Sequence, residues 1–463
     1  ETVNNLGMLY WKQCKLDQAE QMYQRALAGN EKALGADHTS TLESVHNLGI
    51  LYWVQGKLDQ AEQMYQRALA GREKALGPDH QSTLQPVENL GILYWSQGKL
   101  DQAEQMYQRA LAGNEKALGP DHTSTLNTID NIGTLYRDQG KLDQAKQMYQ
   151  RALAGFEKAL GADHTSTFET VNNLGMLYWK QCKLDQAEQM YQRALAGNEK
   201  ALGADHTSTL ESVHNLGILY WVQGKLDQAE QMYQRALAGR EKALGPDHQS
   251  TLQPVENLGI LYWSQGKLDQ AEQMYQRALA GNEKALGPDH TSTLNTIDNI
   301  GTLYRDQGKL DQAKQMYQRA LAGFEKALGA DHTSTFETVN NLGVLYRLQG
   351  KLDQAEKMYE RALAGFEKAL GADHTSTLRT VHNLGVLYRD QGKLDQAEQM
   401  YQRALAGYEK ALGPDHTSTL NTVNNLGVLY RDQGKLDQAE QMYHRVLVGR
   451  EKALGADHTS TLE

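Results

Sequence analysis

An Asp-His-Thr-Ser element, first met as Asp37-His38-Thr39-Ser40, recurs eleven times down this chain, twice with Gln in place of Thr. It holds the residue types of a hydrolytic triad: a carboxylate to orient, an imidazole to take a proton and a hydroxyl to attack. Repetition counts against that chemistry. A catalytic constellation needs one convergent pocket, whereas every copy here lies beside a helix start, where Asp, Ser and Thr satisfy backbone donors. The histidines suggest metal as a second chemistry. Copies on successive stacked helices stand about 10 Å apart, too far to share a zinc ion that holds nitrogen at about 2.1 Å. No Gly-rich phosphate loop is present, because the Leu-Gly and Ala-Gly pairs lie inside helical patterns. Neither catalysis, nor a metal, nor a cofactor is expected.

The elements that must position these residues repeat every 42 residues. Glu1 aligns with Glu43, Gln85, Asn127 and onward to Asn421, and Glu463 starts a twelfth copy. The repeats are residues 1–42, 43–84, 85–126, 127–168, 169–210, 211–252, 253–294, 295–336, 337–378, 379–420 and 421–462. Residues 1–168 recur unchanged as 169–336, a sign of very recent duplication or deliberate construction. Self-similarity at this period predicts a solenoid whose repeats touch only their neighbours, and hence one elongated domain over 1–463.

Net charge is −10, spread along each repeat, so there is no basic footprint for nucleic acid. The longest apolar runs, such as Ile50-Leu51-Tyr52-Trp53-Val54, stop well short of the roughly 20 residues that cross a bilayer. Cys14 and Cys182 hold the same position of the first and fifth repeats and are too distant for a disulfide, which needs Cα atoms within about 7 Å. Unpaired thiols suit a reducing, cytoplasmic setting. The chain begins inside a first helix without an initiator Met, as if excised from something longer. It ends on His458-Thr459-Ser460-Thr461-Leu462-Glu463, the capping turn of an absent repeat. Head-to-tail self-association through these complementary ends is expected.

Within the second repeat, Ser40 and Glu43 have the spacing of a capping box, which starts a first helix. Leu42, Val45, Leu48 and Tyr52 make one apolar stripe, and Gly56 supplies the left-handed residue that closes the helix. Cys14 and Cys182 occupy this glycine position, which predicts mild strain there. Asp59-Gln60-Ala61-Glu62 reads as a second capping pattern. Ala61, Tyr65, Ala68, Leu69, Ala75 and Leu76 form one face of a longer helix ending at Gly77. Gly49 and Ala61 let the two helices pack closely. Gly71, inside the second helix, predicts close approach of a neighbouring backbone. The fold class is therefore all-α, an array of antiparallel helix hairpins.

Val45-x-x-Leu48-Gly49-x-x-Tyr52, then Ala61-x-x-x-Tyr65 and Ala68, resembles the tetratricopeptide repeat pattern over the entire chain. Valine stands where tryptophan is usual, the terminal proline is missing, and the period is 42 instead of 34. Asn47-Leu48-Gly49-Ile50-Leu51-Tyr52 and Arg72-Glu73-Lys74-Ala75-Leu76-Gly77-Pro78-Asp79-His80 resemble the repeats of kinesin light chain. They also resemble arrays at the C-terminal ends of signal-transduction NTPases. The resemblance implies a right-handed superhelical α-solenoid, first helices lining the concave side, and a protein-binding role without catalysis.

The fourth, eighth and eleventh residues of each repeat differ between copies and fall on the face opposite the core stripe when plotted at about 100° per residue. The eleventh position carries Trp11, Trp53, Trp95, Arg137, Trp179, Trp221, Trp263, Arg305, Arg347, Arg389 and Arg431, so all six tryptophans share one register. Aromatics outside a core serve as binding anchors; the alternative is filler against the next repeat. The arginines either line an Arg-rich end of the groove or form solvated pairs with the following Asp138, Asp306, Asp390 and Asp432. Beside this stripe Asn5, Asn47, Asn89, Asn131, Asn173, Asn215, Asn257, Asn299, Asn341, Asn383 and Asn425 recur. An amide donates and accepts at once: in the resembled family the matching asparagine often clamps a peptide backbone, and the alternative is a bridge between adjacent helices. The expected function is a scaffold that captures a peptide or protein segment in its concave groove. A self-associating regular array and the sensor segment of a signalling NTPase are the alternatives.

Overall fold

The computed structural model describes residues 2–13 and 15–454. Over these residues the chain forms 22 helices and no strand, two helices to each repeat. Chain contacts divide it into two compact units, Glu1–Gly239 and Arg240–Glu463. Each holds hairpins in which paired helices pack side by side, and the second helix of one repeat lies against the first helix of the next. The closing turn His458–Glu463 lies outside the described residues, as does Cys14.

In the second repeat the helices are Thr39–Val54 and Leu58–Leu76. The helix starts at Thr39, one residue before the Ser40 signal, and this makes His38 the cap in place of the expected Ser40–Glu43 box. The His38 Nδ1 accepts from the Ser40 amide at 3.2 Å, which requires a neutral ring protonated on Nε2. The Thr41 hydroxyl donates to the Gly35 carbonyl at 2.8 Å and ties this start to the end of the preceding helix. The same imidazole cap recurs, for example, at His122, His206, His290 and His374. The second helix begins at Leu58 with no side-chain cap on its Lys57. Asp59 instead sits in the first turn, facing the positive end of the helix dipole.

Helix ends follow the glycine signals: Gly56 has φ 73° and Gly77 φ 88°. In the fifth repeat Cys182 takes the Gly56 position with φ 56°, the one non-glycine positive φ among the described residues. A side chain in this conformation costs about 1 kcal/mol. Cys182→Gly is therefore expected to stabilise the chain by up to about 1 kcal/mol in urea denaturation; a destabilised variant would contradict that account of the turn.

Small residues let the hairpin close. A Cβ on Gly49 would stand 2.8 Å from the Tyr65 ring, and one on Gly71 would stand 2.4 Å from Leu42 Cδ2. The group that approaches Gly71 is thus a leucine side chain and not a neighbouring backbone. Across the first four repeats the apolar core is continuous: Tyr23, Leu48, Leu51, Tyr65, Leu90, Leu93, Tyr107 and Ile132 belong to one buried cluster. Polar contacts also cross the seams. Glu104 accepts from Tyr136 at 3.1 Å, Gln139 at 3.2 Å and Lys141 at 3.0 Å, all from the following repeat. Between consecutive second helices, Arg193 pairs with Glu157 and Arg361 with Glu325, each at 2.5 Å. These half-exposed pairs contribute little energy apiece, but they are spaced 36 residues apart and repeat throughout. Among the described residues no helix is long and apolar enough to cross a membrane.

Candidate functional site

The eleventh residue of each repeat stands near the C-terminal end of a first helix. Trp53 and Trp221 are 39% exposed, while Trp11, Trp95, Trp179 and Trp263 are half-buried. Trp11 and Trp95 lean on the continuous core. The indole N–H of Trp95 donates to Asp138 of the next repeat at 3.1 Å, and that of Trp263 to Asp306 at 2.9 Å. These indoles are neither buried nor free: Trp11 and Trp95 pack on core residues, Trp95 and Trp263 bond the next repeat, and Trp53 and Trp221 keep the most open surface.

The arginines at this register form a paired ladder. Arg137, 8% exposed, donates from Nε to Asp138 at 3.1 Å, and Lys180 adds a contact to the same carboxylate at 3.3 Å. Burial works against ionisation of Asp138, but Arg137 and Lys180 outweigh it and hold the carboxyl below its ordinary range. Half-buried Arg305 pairs with Asp306 at 2.8 Å, Arg347 with Asp390 of the next repeat at 2.9 Å, and Arg389 with Asp390 at 3.7 Å. Arg431, exposed, pairs with Asp432 at 3.1 Å.

The asparagine row realises the bridge. Asn173 donates to Asp130 at 2.7 Å, Asn215 to Asn172 at 3.2 Å, Asn341 to Asp298 at 2.8 Å and Asn383 to Asn340 at 3.2 Å. Asn89 lies 3.5 Å from His46 Nε2 and Asn425 3.0 Å from His382 Nε2. In each case the fifth residue of one repeat reaches back to the fourth residue of the repeat before. Asn5 is exposed, and Asn47, Asn131, Asn257 and Asn299 are half-buried.

These contacts correct the expectation for the fourth residue, which does not lie on a free face. His46, Asn172, His214 and Asn340 are buried, because the next first helix covers that flank. Burial pushes His46 and His382 down to about 4, with Arg72 and Arg389 respectively adding to the effect. Asp130 and Asp298 go the other way, up to about 6. Burial is the main cause, opposed at Asp130 by hydrogen bonding from Thr170 and Asn173 and at Asp298 by that from Thr338 and Asn341.

Opposite the fourth residue stands the thirtieth, which the first-helix plot overlooked. Asn114 donates to Glu88 at 2.9 Å and to Thr128 at 3.1 Å, and Thr128 donates to Glu88 at 2.6 Å. Arg72 donates to the Ser82 carbonyl at 2.5 Å. Both positions vary between copies but not in step: Asn172 faces Asn198 where Asn340 faces Phe366, and His46 faces Arg72 where His382 faces Tyr408.

The Asp-His-Thr-Ser residues do not converge. Asp37 pairs with Lys74 at 2.5 Å, and the His38 ring faces the Ser40 amide.

A family model described as tetratricopeptide repeat matches residues 1–74, 44–116, 82–158, 124–200, 166–242, 209–284, 250–326, 334–410 and 376–452. No curated protein matches the chain in sequence. Among solved structures the chain is similar to BtubC (BKLC) from P. vanneervenii, with 23% identity, 50% of this chain and 92% of that one covered, and a TM-score of 0.44. It is also similar to the nearly identical TPR-like repeats of a putative kinesin light chain from Podosopora anserina, with 23% identity, 45% and 98% covered, and a TM-score of 0.40. A Rap protein complexed with Competence and Sporulation Factor matches with 16% identity, 80% and 98% covered, and a TM-score of 0.54. That last likeness is one of fold.

Proposed function

The chain belongs to the tetratricopeptide repeat family, and from that premise we propose that it is a non-catalytic interaction scaffold holding a peptide or protein segment along the face of its first helices. The observation that carries this reading is the row of indoles at one register, with Trp53 and Trp221 39% exposed beside half-buried asparagines. Large aromatics that keep an open flank bury much area on contact and lose few rotamers. A Rap protein of the same fold is complexed with Competence and Sporulation Factor, so a fold of this kind can hold a partner. The asparagines bridge repeats through Nδ2, and an amide so engaged keeps its Oδ1 as an acceptor for a backbone N–H.

The test replaces Trp53 and Trp221 by Ala together, since these two indoles contribute least to the seams. Helicity by circular dichroism and the thermal midpoint should stay close to those of the parent chain. Recovery of partners from lysate should fall about thirtyfold, as expected for the loss of a binding anchor worth about 2 kcal/mol. Undiminished capture would overturn the proposal, and a large loss of helicity would make these residues structural.

A further inference from the structure

In the unit Glu1–Gly239 a cavity of about 250 Å3 opens at the seam of the fourth, fifth and sixth repeats, lined by Asp130, Glu169, Asn172, Asn198 and Glu211 among others. Three carboxylates meet there, and no lining residue is cationic. Asn198 identifies what the cavity lacks. This side chain is 2% exposed, and its Nδ2 donates to the Ser208 carbonyl and the Ser212 hydroxyl, both at 3.4 Å. Its Oδ1 is buried and has no hydrogen-bond partner; the same is true of Asp130 Oδ1. A buried acceptor without a donor costs about 1–3 kcal/mol. The Asn198 acceptor, beside three carboxylates, points to a missing group that is positively charged and rich in N–H donors.

The other unit holds the corresponding seam with three exchanges among these residues: Phe366 for Asn198, Arg379 for Glu211 and Thr380 for Ser212. At a distance of four repeats Asp130 corresponds to Asp298, Phe168 to Phe336 and Glu169 to Glu337. Where the first seam has Glu211 the second has Arg379. The guanidinium of Arg379 is ion-paired with Glu337, and its charge acts on Asp298. Here the chain supplies its own cation. A planar fork of N–H donors is also the group best matched to carboxylates.

We propose that the cavity at Asp130, Glu169, Asn198 and Glu211 binds an arginine side chain of the held segment. The inference rests on the scaffold reading above and names one residue of the partner. Its test uses the full chain and an end-blocked Gly-Ser peptide with a single central Arg, titrated calorimetrically at neutral pH and low salt. Two controls accompany it: the same peptide with citrulline, which has the shape without the charge, and N-acetylarginine amide, which separates the side chain from its peptide. The arginine peptide should bind at one site, with the citrulline peptide at least about tenfold weaker, as expected for a charge-assisted hydrogen bond. Glu211→Arg supplies the sister seam's cation and should abolish uptake while helicity and melting are kept. Glu211→Gln should weaken uptake without abolishing it. Absence of arginine-peptide binding at millimolar concentration, equal binding of the citrulline peptide, or unaltered binding by the Glu211→Arg chain would each overturn the proposal. Capture through Trp53 and Trp221 is measured separately, so either idea can fail alone.

Discussion

Tyr149→Ala is expected to cost about 3–5 kcal/mol and to divide the unfolding of the unit Glu1–Gly239 into separate steps. Tyr149 is fully buried, and its ring fills the space over Gly133, where a Cβ would stand 2.8 Å away. It clusters with Ala145, Leu174 and Leu177, and so belongs to the fourth and fifth repeats at once. Its hydroxyl lies 3.0 Å from Thr134 Oγ1, and truncation leaves that threonine without its partner as well as opening a cavity. In a stacked array the stability resides in interfaces between neighbours, and this substitution empties the centre of one. Hydrogen exchange should show protection lost first in the helices Thr123–Asp138 and Thr165–Lys180, with the second and third repeats retaining theirs. A single cooperative transition, lowered uniformly, would show instead that energy is shared across the whole unit.

Asp130→Asn combined with Asp298→Asn should stabilise the chain at pH 7 by about 2–3 kcal/mol per site, the equivalent of lifting a carboxyl from its ordinary 3.8 to about 6. The sign follows from linkage. A folded value above the unfolded one favours the protonated form. The stability from these groups is thus fully present below about 3.8 and is lost as the pH rises through about 6. Asparagine keeps an acceptor for Asn173 or Asn341 and carries no charge to desolvate. The gain should therefore be large at pH 7 and close to nil at pH 4. Other groups facing these carboxyls modify the size without reversing the sign: Glu169 and Arg137 beside Asp130, and Arg305 and Arg379 beside Asp298. His46 and His382, depressed to about 4, contribute stability above their ordinary 6.5 that is lost as the pH falls toward 4. That trend is common to parent and variant and cancels in the difference. Midpoints from urea titrations at a series of pH values give the comparison, and a difference independent of pH would refute it.

The architecture was legible because every signal is local and recurs. The stripe Leu42, Val45, Leu48, Tyr52 and the glycines at 56 and 77 specify two helices and their ends from the residues that form them, with no reference to a neighbour. The site was legible only in part. A helical wheel records which face of a helix is apolar; it cannot record which polar flank a neighbouring helix will cover. Hence the tryptophan register was read as lying outside the core, while the fourth residue was left on open surface when it is in fact closed by the asparagine of the next repeat. Pairing of Arg137 with Asp138 and of Arg305 with Asp306 is one of the two readings the sequence offers, whereas the reach of Arg347 to Asp390 of the next repeat depends on how the helices stack. The caps differ for a smaller reason: a helix starting at Thr39 puts an imidazole where the pattern suggested a hydroxyl.

The pairs between second helices, such as Arg193 with Glu157, have the same donor and acceptor at copy after copy, and the cluster around Glu104 recurs except where Lys146 and Lys314 replace the glutamate. A junction built this way cannot distinguish its original neighbour from any other copy. Loss or gain of one 42-residue module through unequal recombination would restore the shared pairs at the new junction, with the variable fourth, eleventh and thirtieth residues meeting new partners. Array length can then drift in a lineage while foldability is preserved, and the few places where copies disagree, Glu211 against Arg379 among them, are where selection can distinguish one length from another.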